Sequence, residues 1–228
     1  WLTGEDAEGA VYWLLGGEDG LEATPHLLLP SAEAARDGFG RSVSSAGDLN
    51  GDGYDDVVVS ALNGAGVPKG AAYVYLGSAT GVDPDAETAL LAERGGSFGQ
   101  AVAGAGDVDG DGYSDIAVAS LQAADGRVGV VVYRGAPGGL SPAPMAALVV
   151  PETDLLHGLS VAGAGDPDGD GLANVVVGAT PYSAEWPGRA WLYTVCDEPS
   201  WYVDDDGDGY GDADAGMLCR ETDLAAAV

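Results

Sequence analysis

Strings of short, oxygen-bearing side chains recur along this chain, and their spacing suits a hard cation. The first carries Asp48, Asn50, Asp52 and Asp56 at positions 1, 3, 5 and 9, with Gly53 at position 6 and Tyr54 at position 7. The second carries Asp107, Asp109, Asp111 and Asp115 around Gly112 and Tyr113, and the third Asp166, Asp168, Asp170 and Asn174 around Gly171 and Leu172. Alternate short acids place oxygens on one side of a tight loop. The glycine takes the sharp turn, and the next residue turns its backbone carbonyl inward. Several anionic oxygen donors in a flexible loop select calcium over softer metals. An EF-hand begins in the same way, but it needs Glu at position 12 and a helix on each side. Position 12 here is Val59, Val118 or Val177, each inside an apolar run, so the ninth residue must close the loop at a strand entrance.

The strings sit inside a longer repeat, which sets the elements that must position them. Phe39-Gly40, Phe98-Gly99 and His157-Gly158 open three segments that end on Gly47-Asp48, Gly106-Asp107 and Gly165-Asp166, 59 residues apart both times. Each loop leads into a valine- and alanine-rich run from Asp56, Asp115 or Asn174. A third run follows at 71–77, 128–135 and 189–195, and a weaker fourth at 88–93 and 146–151. The runs are short, β-branched and aromatic, bounded by Gly, Pro, Asn and Asp, and read as strands, about four per period. A period of this length carrying four strands is the signature of a propeller blade. The predicted fold is therefore all-β, built of four-stranded antiparallel blades. Residues 1–38 supply the last two strands of one blade, 39–96 and 97–156 are full blades, and 157–196 is a blade of three strands. Closed propellers generally need about 4–8 blades. A little over three blades should not close alone, so further blades lie elsewhere in a longer parent chain or copies complete one another. The opening on Trp1 rather than Met fits a processed or excised portion.

The Phe-Gly to Gly-Asp segment, the Asp-x-Asn/Asp-x-Asp-Gly-x-x-Asp loop and the valine strand together resemble the FG-GAP repeat of integrin α-chain β-propellers, over roughly residues 9–196. The resemblance implies that each loop joins the first two strands of a blade and holds one calcium ion, often beneath a face used for binding. Its implied ligands are the side chains named above with the carbonyls of Tyr54, Tyr113 and Leu172. His157 departs from the motif Phe and Asn174 from the final Asp, so the third site has one charge fewer and should bind more weakly. A fourth string, Asp204, Asp206, Asp208 and Asp212 with Tyr210 at the seventh position, has the same spacing but breaks the period. With Cys196 and Cys219 around it, the segment 197–228 resembles a thrombospondin type 3-like calcium repeat. Such a segment has little core and depends on metal and disulfide for order; the alternative is a solvated acidic linker.

Composition narrows the function. Eight Lys and Arg against 37 Asp and Glu give a net charge of -29, which repels nucleic acid and anionic lipid. The apolar runs are too short to span a membrane. Aspartate outnumbers glutamate 26 to 11, and 14 of the aspartates occupy ligand positions in the four strings. In a secreted chain Cys196 and Cys219 would form one disulfide; in a cytosolic one they are two thiols too sparse for zinc. The acidic, lysine-poor composition and the calcium loops favour the extracellular setting. His26 and His157 are the only histidines, and both read as packing residues. No Ser/His/Asp order, phosphate loop or zinc cluster appears, and a calcium-bound acid is a poor general base at neutral pH. The third-run aromatics read as core between blades rather than as a carbohydrate platform. The expected function is a non-catalytic, calcium-stabilised adhesion or protein-interaction module at the cell surface or outside it. Its partner would be a protein or glycan ligand or copies of itself. The alternatives are a subunit of a calcium-dependent oligomer or filament joined by blade edges, and an accessory domain of a secreted polysaccharide hydrolase or lyase.

Overall fold

A computed structural model describes residues 9–31, 38–62, 70–91, 97–120, 129–150, 156–181, 189–194 and 219–223. Every regular element among them is a strand. At the N-terminus β1 (Val11–Trp13) pairs antiparallel with β4 (His26–Leu28), and a small hairpin of β2 (Gly16–Gly17) and β3 (Gly20–Leu21) connects them. Three four-stranded antiparallel sheets follow, each with its strands side by side in chain order. The first holds β5 (Phe39–Gly47), β6 (Asp56–Ala61), β7 (Ala71–Tyr75) and β8 (Glu87–Leu91). The second holds β9 (Phe98–Gly106), β10 (Asp115–Ser120), β11 (Gly129–Ala136) and β12 (Gly139–Val149). The third holds β13 (Leu156–Gly165), β14 (Asn174–Pro181), β15 (Arg189–Thr194) and β16 (Cys219–Asp223). These are propeller blades of the expected four-stranded antiparallel type, in a partial ring.

Two boundaries differ from the sequence reading. The third blade has a fourth strand: Trp191, Leu192 and Thr194 of β15 pair with Asp223, Thr222 and Cys219 of β16. That strand comes from the segment set apart as 197–228. Its sequence, Cys219 to Asp223, holds three charged residues and no apolar run, as befits an outermost strand. In the second blade β12 begins at Gly139 rather than near Ala146, because a two-residue turn at 137–138 folds it directly back on β11. Its Pro142 and Pro144 are tolerated because β12 is an edge strand with one side unpaired.

The core lies between the sheets. Phe39, Tyr73 and Tyr75 meet the N-terminal unit through Leu28. Val58, Val74 and Leu90 of the first blade pack with Phe98, Val102 and Ile116 of the second, and Val130, Val132 and Leu148 of the second with Val175, Val177 and Trp191 of the third. The third-run aromatics Tyr73, Tyr75, Tyr133, Trp191 and Tyr193 are buried as expected of core, while Tyr12 stands exposed. Phe39 meets Tyr73 and Tyr75 edge-on, and Phe98 meets Tyr133 in the same way. His26 packs as expected, against Trp13, but from an exposed position. It stacks at 4.1 Å and pairs with Glu22 at 2.9 Å.

The repeated small residues of the first strands have a steric cause. Adjacent blades meet backbone to backbone there, and a Cβ on Gly104 would sit 2.5 Å from the Ser45 carbonyl oxygen. The equivalent atom on Gly163 would sit 2.8 Å from the Gly104 oxygen. Ser42 and Ser44 bridge the same seam, their hydroxyls accepting the amides of Val102 at 3.2 Å and Gly104 at 3.4 Å. Gly104→Ala should therefore destabilise the protein by about 1–3 kcal/mol as an overpacking change, read as a lowered melting temperature. Gly138→Ala, where nothing lies within 4 Å of the added carbon, should leave melting unchanged. Equal melting of the two variants would refute a close-packed seam.

Candidate metal centres

Each loop spans the end of the first strand of a blade and the start of the second, so the three loops occupy equivalent places in successive blades. The first-position acid organises the turn. Asp48 Oδ1 accepts the amides of Gly51 at 2.7 Å and Asp52 at 3.1 Å, and its Oδ2 that of Gly53 at 2.8 Å. Asp107 takes the amides of Gly110, Asp111 and Gly112, and Asp166 those of Gly169, Asp170 and Gly171, at 2.7–3.1 Å. The fifth-position acid accepts the amide of residue 7 in every loop, at 2.8–3.0 Å. The sixth-position glycines share φ near 90°, a left-handed conformation that strains any side chain.

The ninth residue belongs to strand and loop together. Asp56 and Asp115 are completely buried. Asp56 Oδ2 accepts the Leu49 amide at 2.8 Å and Oδ1 the Gly77 amide at 2.7 Å. Asp115 repeats this with Val108 and Gly135, both at 2.9 Å. One carboxylate thus pins its own loop to the far end of the third strand. Burial pushes both carboxyls up, against the opposing pull of these amides, and nearby loop acids add repulsion; Asp115 reaches about 7. Asp166 is held below the usual carboxylate range: desolvation raises it, but the amides of Gly171 and Gly169, the Asp168 side chain and the Asp170 amide together outweigh that.

Asn174 breaks the pattern instructively. Its Nδ2 donates to Thr194 Oγ1 at 2.7 Å and to the Tyr193 carbonyl at 3.5 Å, while its Oδ1 is buried with no partner. A buried carbonyl oxygen without a donor is costly, on the order of 1–3 kcal/mol, unless a cation takes it up. The donor chemistry fits as well. Oxygens of Asp107, Asp109 and Asp115 lie within 4.8 Å of one another, and so do those of Asp166, Asp168 and Asp170. Two oxygens on one calcium stand at most about 5 Å apart, twice a bond of 2.3–2.6 Å. The side chains of the second and third loops therefore suit calcium. Val59, Val118 and Val177, at position 12, are fully buried within β6, β10 and β14, which removes the EF-hand reading. The string from Asp204 to Asp212 and Cys196 lie outside the described residues, as does the side chain of Cys219.

Three participants were not found from the sequence. Gly77 and Gly135 supply the amides for the buried acids, and a Cβ on either would strike a neighbouring carbonyl. The signal existed: the third runs read Tyr-Leu-Gly77 and Tyr-Arg-Gly135, whereas the third blade has Val195 there and, correspondingly, Asn174 in place of Asp. The third is Arg134, whose Nε donates to Asp109 Oδ2 and lies 3.7 Å from Asp111 Oδ2. No spacing rule reaches it, because strand pairing alone brings it to the second loop.

These repeats are similar to the FG-GAP type. Residues 48–118, from the first loop through most of β10, match a family model described as FG-GAP-like repeat. The chain is similar to Integrin alpha-5 of Xenopus laevis, 37% identical over 134 residues, which cover 57% of this chain and 12% of that protein. It is also similar to Integrin alpha-4 of Xenopus laevis, 33% identical over 151 residues (62% and 14%), and to Integrin alpha-PS5 of Drosophila melanogaster, 34% identical over 162 residues (67% and 16%). The matched stretch is thus about a sixth or less of each of these relatives.

Two outcomes follow from the geometry. Asp115 titrates higher in the folded chain than its ordinary unfolded value of about 3.9, so without metal the folded state holds the extra proton between about pH 4 and 7. Metal-free protein should lose stability as pH rises through that window, and calcium, which favours the charged form, should reverse the slope. Thermal melts at pH 5 and 7.5, with and without calcium, check this; a metal-free melting temperature that rises with pH contradicts it. Arg134 partly neutralises the second loop, so Arg134→Leu should tighten calcium there, up to about fivefold for a half-exposed arginine on a buried acid. Isothermal titration resolves the change, and weaker binding would contradict it.

Proposed function

We propose that this chain is a non-catalytic, calcium-binding segment of an FG-GAP propeller that serves as an adhesion or protein-interaction module outside the cell or at its surface. The observation that carries this reading is the threefold recurrence of one loop, each with a first-position acid organising the turn and a buried ninth residue tying it to the blade. The similarity to integrin α chains supports the adhesion role. The ligand sets are Asp48, Asn50, Asp52, Asp56 and the Tyr54 carbonyl; Asp107, Asp109, Asp111, Asp115 and the Tyr113 carbonyl; and Asp166, Asp168, Asp170, Asn174 and the Leu172 carbonyl. A fourth ion at Asp204, Asp206, Asp208, Asp212 and the Tyr210 carbonyl, with a Cys196–Cys219 disulfide, belongs to the same reading. The partner class is a protein or glycan ligand, met by a rigid face rather than by a reactive centre.

Calcium should be part of the fold. A bound ion at a hundred times its dissociation constant adds about 2.7 kcal/mol, and each kcal/mol is worth about 2–4 °C in a chain of this length. Chelation should therefore lower the melting temperature by about 5 °C for each loop emptied. Metal analysis that finds no calcium, with melting indifferent to chelator, would falsify the reading; turnover of a polysaccharide in a substrate screen would replace it with the hydrolase or lyase alternative.

A further inference from the structure

The three loops touch one another. The Ser114 amide donates to the Asp48 carbonyl at 3.0 Å, and the Ala173 amide donates to the Asp107 carbonyl at 2.8 Å. In both cases the eighth residue of one loop reaches the first residue of the loop before it. Side chains repeat the contact. A Cβ on Gly51 would lie 2.8 Å from the Tyr113 ring, and one on Gly110 would lie 3.0 Å from Leu172 Cδ2. The seventh residue of each loop therefore covers the fourth-position glycine of its predecessor. A further amide, Ala136, donates to the Leu49 carbonyl at 2.9 Å, so the first loop is held by the second blade at two successive peptides.

The peptide between residues 7 and 8 belongs to both loops at once. Its carbonyl, from Tyr113 or Leu172, is the backbone ligand in its own loop on the calcium reading, and its N–H is the donor to the next. The peptide is planar and trans, so its carbonyl and N–H point in opposite directions and turn together. A cation that fixes and polarises the carbonyl fixes the N–H on its neighbour and strengthens it as a donor. The acceptor is the backbone of Asp48 or Asp107, the residue whose carboxylate organises the neighbouring turn.

We propose, resting on the calcium reading above, that the three loops bind calcium cooperatively, coupled through the shared peptides Tyr113–Ser114 and Leu172–Ala173. Filling the third loop prepares the second, and filling the second prepares the first. Coupling of this kind is reciprocal, so it works equally in the other direction.

The test is a calcium titration of the whole chain followed by the backbone amide signals of Gly53, Gly112 and Gly171, which report the loops one by one. In the unaltered protein the three signals should move over overlapping ranges, more steeply than independent sites. Asp166→Asn with Asp168→Asn should silence Gly171 and shift the Gly112 midpoint to about fivefold higher calcium or more, within the usual range of such couplings. Leu172→Ala, which keeps the backbone carbonyl and removes the side-chain cover over Gly110, should reduce the steepness at Gly112. An unmoved Gly112 midpoint in the double variant, with unchanged steepness in Leu172→Ala, overturns the coupling and leaves calcium binding intact. Signals that ignore calcium in the unaltered protein overturn the calcium reading itself.

Discussion

The buried carboxylates of Asp56 and Asp115 each accept two amides that the strand ladders do not satisfy, one from the loop and one from the third strand. Losing either acceptor would strand two buried donors, each costing about 1–3 kcal/mol. Loop and blade therefore stand or fall together. The arrangement also explains why the acids of positions 1, 3 and 5 can remain in a tight, mutually repulsive cluster. Their backbone is held by hydrogen bonds to the first-position acid and by the buried ninth residue. On the calcium reading, a bound cation would offset the remaining repulsion.

The third blade shows the same constraint solved differently. The third run reads Val195 where the other two have Gly77 and Gly135, and at the ninth position an amide replaces the acid. Asn174 donates to Thr194 where Asp56 and Asp115 accept from glycine. The exchange removes one negative charge from the site and leaves one oxygen, Asn174 Oδ1, with no donor. On the calcium reading, the weaker third site expected from charge alone would be offset in part by this oxygen, which has no competing bond.

Much of this was legible in the sequence because a repeat multiplies weak signals. One Asp- and Gly-rich string is ambiguous, but three in a single register placed the loops, the first three strands of each blade and the all-β class. Legibility ended where the determinants were not periodic. Arg134 stands where Leu76 and Thr194 stand in the other blades, so no pattern marks it. The strand Cys219–Asp223 carries no apolar alternation, because an outermost strand buries little. The glycines at 77 and 135 were visible as residues, but their purpose lies in amides that only the folded strand aims at a carboxylate.

The pairing of β16 with β15 also sets the covalent path of the chain. Thr194 and Cys219 are cross-strand partners, so the chain leaves β15 and enters β16 at neighbouring points of a single sheet. Loop-closure entropy grows only slowly with length, so added sequence between those two points costs the sheet little.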